Sequence, residues 1–79
     1  MTATLEDLAA SVDAALGSGF SGKPYTRGTF QRVFLRWHRI DVGEAWLVGA
    51  EVAVLVYPRG DQIVPQDAAA RLTRAVAAK

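Results

Sequence analysis

From Ala45 to Tyr57 the chain is almost continuously apolar, broken by a single charge at Glu51. A strand with one wet face alternates polar and apolar residues, whereas an unbroken apolar run wants cover on both faces. Read as one strand, the run places Trp46, Val48, Ala50, Val52, Val54 and Val56 on one face. Ala45, Leu47, Gly49, Glu51, Ala53, Leu55 and Tyr57 fall on the other. A chain of 79 residues builds one modest core, so the second face calls for another copy or a partner. Domains of this size lean on disulfides, metals or oligomerisation. The chain has no cysteine and one histidine, His38, which excludes disulfides, thiolate sites and a multi-histidine metal site within one chain. Oligomerisation or a partner is the aid that remains.

Thr4 to Leu16 is expected to be a helix. Leu5, Leu8, Ala9, Val12, Ala15 and Leu16 share one face, and Thr4 with Asp7 three residues later forms a capping box in which Asp replaces Glu. Gly17 suits a left-handed stop. Gly17 to Gly28 carries Gly17, Gly19, Gly22, Pro24 and Gly28 and reads as a loop, a mobile arm that Phe20 and Tyr25 anchor at most as a short edge strand. Thr29 to Ile40 is the first long strand. Val33, Leu35 and Trp37 point one way, and Phe30, Arg32, Phe34, Arg36, His38 and Ile40 the other. Asp41–Val42–Gly43 reads as the turn into a central second strand that Pro58 ends. Arg59–Gly60–Asp61 is a turn, and Pro65 to Ala78 is a helix with Ala68, Ala69, Leu72, Ala75 and Val76 as its apolar stripe. The expected fold is a single α+β domain over 1–79: N-terminal helix, glycine-rich loop, long antiparallel β-hairpin of two or three strands, and C-terminal helix packed on the sheet.

Little in the chain names a chemistry. Gly17 to Lys23 matches most of a phosphate-binding loop, but Pro24 stands where Ser or Thr must hold magnesium, and a helix precedes it instead of a strand. His38 has no nucleophile or orienting partner in view, so no catalytic residue, metal or cofactor is assigned. The row Phe30, Arg32, Phe34, Arg36, His38 interleaves rings with cations, as platforms for single-stranded nucleic acid do. The same row also reads as an interface with another protein, joined by Trp46, with Glu51 pairing with Arg32 or Arg36 across the sheet or with a basic residue of a neighbouring copy. Formal net charge is +1, which gives little general attraction to nucleic acid and disfavours that partner. No leader is recognised, and the apolar run is too short for a membrane helix, so the chain is expected to be made in the cytoplasm with no membrane partner.

One resemblance emerges from the second half. Glu51–Val52–Ala53–Val54–Leu55–Val56–Tyr57–Pro58, a polar turn, and Pro65–Gln66–Asp67–Ala68–Ala69–Ala70–Arg71–Leu72 resemble the tail terminator and tail-completion proteins of long-tailed bacteriophages, in which a core strand ending at proline precedes an alanine-rich helix. The resemblance implies a virion structural protein assembling as a homo-oligomeric ring at the head–tail junction, beside other structural proteins of the particle, with no catalytic residues. The readings beside it are a nucleic-acid module using the Phe30–His38 face and a small regulator or inhibitor that binds one protein.

Overall fold

The computed structural model describes residues 3–78. Three helices cover one face of a four-stranded antiparallel sheet, an α+β arrangement. The order is α1 (Leu5–Ala10), α2 (Val12–Leu16), β1 (Phe20–Arg27), β2 (Phe30–Trp37), β3 (Ile40–Val48), β4 (Glu51–Val56), a 3-10 turn at Pro58–Gly60, and α3 (Ala68–Ala77). The strands lie in chain order, so β1 and β4 are the edges.

The N-terminal capping box forms as expected: the Asp7 N–H donates to Thr4 Oγ1 and the Thr4 N–H to Asp7 Oδ2. The single helix of the sequence reading is divided at Ser11, however. Its buried hydroxyl donates to the Asp7 carbonyl at 2.7 Å, a back-bond of the kind that bends helices. Gly17 then ends α2 with φ +111°. At the other end of the chain, α3 begins three residues after Pro65 and buries Ala68, Leu72 and Val76.

Three corrections concern the sheet. The stretch read as a glycine-rich loop is β1, an eight-residue edge strand paired with β2 from Phe20↔Trp37 to Arg27↔Phe30. Gly22 belongs there because the helices cross it closely: a Cβ would sit 2.8 Å from the Ala9 carbonyl oxygen and from Val12 Cγ2. Next, the hairpin turn between β2 and β3 is His38–Arg39, not Asp41–Val42–Gly43. Both residues take positive φ, +47° and +72°, the backbone of a type I′ turn, whose twist matches the flanking strands. Asp41–Val42–Gly43 lies inside β3, where the register slips so that Val42 is an extra residue between the Leu35↔Gly43 and Arg36↔Asp41 pairs, a β-bulge.

The third correction matters most. The apolar run is not one strand. It turns back at Gly49–Ala50, with Val48 opposite Glu51 and Gly49 at φ +63°. Folding back moves Val52, Val54 and Val56 to the face of Ala45 and Leu47, and leaves Trp46 and Val48 with Glu51, Ala53, Leu55 and Tyr57. β4 is consequently an edge, not the centre of the sheet. The core lies between the helices and the inner sheet face: Leu8, Val12, Val33, Leu35, Val42, Ala45 and Leu72 are fully enclosed. Burying a side chain such as Leu35 contributes about 1.5–3 kcal/mol.

Candidate protein-interaction face

Among the described residues no helix lies on the other sheet face. Its residues follow from the register as cross-strand rows. Lys23, Phe34, Glu44 and Leu55 form one row. Tyr25 pairs with Arg32, which lies level with Trp46 by continuation of the β2–β3 register, and Trp46 pairs with Ala53. Arg27 pairs with Phe30, level by the same continuation with Val48, which pairs with Glu51. Phe30, Val48 and Leu55 are about half exposed, and none of the aromatic residues in these rows packs against the core. Scattered exposed apolar residues need no explanation; several on one open sheet face make that face the candidate for an interaction surface.

The local geometry organises the rings. The Arg32 guanidinium carbon lies 3.7 Å from the Trp46 ring centroid and 4.5 Å from that of Phe30, a cation–π arrangement. Tyr25 and Phe34 meet at 5.5 Å with ring planes tilted by 57°. Arg32 makes no hydrogen bond or ion pair among the described residues, so its N–H donors are unused within the chain. Glu44 is half-buried between Phe34 and Leu55. Burial first, and then hydrogen bonding to Glu44, push the Tyr57 phenol above its ordinary value of 10.0.

Of the residues singled out from sequence, Phe30, Arg32, Phe34, Trp46 and Glu51 do share this face. Arg36 lies on it too, but its Nε sits 3.0 Å from Asp41 Oδ1, off the line of a hydrogen bond, and its Nη2 donates to the Arg39 carbonyl at 2.8 Å. Arg36 therefore braces the β2–β3 turn. His38 leaves the row: it occupies that turn, its ring edge-on to Trp37 at 4.3 Å. Glu51 pairs with neither arginine within the chain. It sits opposite Val48, exposed and without an ion-pair partner among the described residues. Tyr25 and Glu44 are not legible from sequence as members of this face: the glycines and proline of β1 read as a loop, and Glu44 follows a stretch that reads as a turn.

Other features lie away from the open face. A groove of about 340 Å³ runs beside edge strand β4, lined by Val54, Val56, Val64, Pro65, Ala68 and Ala69 with Asp61 and Gln66. Gly60, the centre of Arg59–Gly60–Asp61, is buried against Val42, so the tripeptide is a packed turn. Lys23 of the phosphate-loop-like stretch lies mid-strand in β1, where no helix N-terminus follows it. Among the described residues no three of His, Cys, Asp and Glu lie close enough to hold a metal, and no helix is long and apolar enough to cross a membrane. Compared with protein families, curated proteins and solved structures, the chain matches none.

Proposed function

We propose that the protein is a structural assembly module that works as a homo-oligomer through its uncovered sheet face. The observation that carries this reading is the composition of that face. Trp46, Tyr25, Phe34, Phe30 and Arg32 stand together on a rigid sheet, and aromatic residues with arginine are the residues that anchor protein interfaces. The nucleic-acid reading is the weaker use of the same face. A polyanion laid on it would meet the Glu44 carboxylate near its middle, and Arg36 is already neutralised by Asp41. The resemblance of the Glu51–Leu72 segment extends the proposal to a ring in a phage-like particle, at the head–tail junction, assembled in the bacterial cytoplasm and carried in the virion.

Sedimentation velocity over a concentration series tests the reading, with fluorescence anisotropy of a single-stranded oligonucleotide at low salt beside it. Mass above 8.5 kDa that returns to it in Trp46→Ser, with no oligonucleotide bound, is the expected result. A monomer at every concentration that binds the oligonucleotide in a salt-sensitive manner overturns it, because salt-sensitive binding is the mark of phosphate contacts.

A further inference from the structure

The charges on the open face are divided by strand. β1 and β2 contribute Lys23, Arg27 and Arg32, while β3 and β4 contribute Glu44 and Glu51, and none of these five forms an ion pair within the chain among the described residues. Among the described residues, Arg36 and Asp41 at the turn end form the one ion pair on this face. The face is therefore a dipole with an aromatic seam, basic on one side and acidic on the other. A basic ligand would meet Arg32 and an acidic one Glu44. A surface that satisfies both halves at once carries the same dipole reversed.

We infer that this face stacks on the same face of a second copy, about a two-fold axis running along the strands between β2 and β3. The inference rests on the assembly reading above and deepens it by naming the partner and the symmetry. Rotation about an axis along the strands lays β1 over the partner copy's β4 and β2 over its β3, so basic meets acidic. Rotation about an axis across the strands lays β1 over β1 and opposes like charges, which costs several kcal/mol in the centre of an interface. Both rotations keep the strands of the two sheets nearly aligned, one of the two ways in which sheets stack, so the charges decide between them. The favoured rotation preserves the cross-strand rows, so Arg27 of one copy lies over Glu51 of the other, and Arg32 approaches Glu44 of the other diagonally across the Trp46–Phe34 seam. Each contact occurs twice, as in any isologous interface.

The size of the face agrees with this. Four strands at about 4.8 Å spacing and six residues at about 3.4 Å each give a flat area of about 19 by 20 Å. Rings standing above that plane bring the accessible area covered in two copies to about 1,000 Å², where specific interfaces begin. The stack is accordingly concentration-dependent. Because it consumes the open face, a ring larger than a dimer is joined through a different surface. β1 is poorly suited to that, since Pro24 removes an outward amide from its edge, whereas β4 keeps its edge beside the groove.

Charge exchange tests the arrangement. Arg32→Glu and Glu44→Arg each place like charges face to face, so each variant alone is expected to associate at least about tenfold more weakly than wild type. An equimolar mixture restores opposite charges and is expected to regain association as a heterodimer. The exposed pair Arg27→Glu and Glu51→Arg repeats the test at a site where folding is not at stake, with circular dichroism confirming the fold of all four variants. Wild type that associates, while neither mixture associates better than its component variants, overturns the two-fold stack and leaves the assembly reading standing. Wild type that stays at 8.5 kDa throughout overturns both.

Discussion

The Thr73 hydroxyl accepts the Val52 N–H at 2.9 Å and donates to the Ala69 carbonyl at 2.8 Å. One side chain thus ties α3 to the free edge of β4 and occupies an amide that would otherwise point away from the sheet. Edge strands with unpaired amides invite pairing with other chains, so this contact both holds the last helix and narrows the exposed edge.

Thr73→Val keeps the shape and removes both bonds. The loss of a part-buried amide's partner is expected to cost about 1–2 kcal/mol. Denaturant midpoints measure the stability change, and the Val52 amide is expected to exchange with solvent faster while the amides of β2 keep their protection. Unchanged stability would show that the edge amide finds water at no cost.

The β2–β3 turn stores strain. His38 and Arg39 both occupy the left-handed region, which costs roughly 1–2 kcal/mol per ordinary residue, and the Arg36 bond to the Arg39 carbonyl offsets part of it. Asn at the first position and Gly at the second are the residues this turn favours. The double variant His38→Asn, Arg39→Gly is expected to be more stable by about 1–2 kcal/mol, because the carbonyl that Arg36 binds belongs to the backbone and survives the change. A lower denaturation midpoint would instead assign the turn's stability to the His38–Trp37 ring contact.

Tyr57 couples folding to alkaline pH. Its phenol holds the proton more tightly when folded than at its ordinary value of 10.0, chiefly through burial and then through Glu44. The associated stability is fully present below that ordinary value and is lost as pH rises through the raised one. Wild type is therefore expected to weaken in strong alkali, and Tyr57→Phe to lose less over the same range, as read from denaturation midpoints and tyrosinate absorbance. An identical alkaline decline in both proteins would place the responsible group elsewhere.

Much of this architecture was legible in the residues, and the rest was hidden for physical reasons. The Thr4–Asp7 cap, the Val33, Leu35, Trp37 alternation and the α3 stripe are local signals, and the structure repeats them. The turn at His38–Arg39 carries none of the residues that announce a type I′ turn, while Asp41–Val42–Gly43, which reads as the turn, holds the bulge. Gly49 is one glycine inside an apolar run, and its positive φ became visible only once Val48 faced Glu51. That hidden turn reversed the faces beyond it and created the apparent doubly buried strand. In β1, glycine at position 22 makes room for the helix backbone and Pro24 sits on an edge, two tertiary reasons that composition registers as a loop. The aromatic–basic row of β2 was legible from alternation alone, whereas Glu44 and Tyr25 depended on register.

The central claim is that assembly covers the open sheet face, and Trp46 reports on it directly. In Trp37→Phe, Trp46 is the remaining tryptophan, so collisional quenching of its fluorescence by iodide measures the exposure of that face alone. The measurement is made across the concentration series used for sedimentation. Quenching that falls in step with the rise in mass is the predicted result. Mass that rises while Trp46 stays equally open to iodide, or mass that never rises, would contradict the claim.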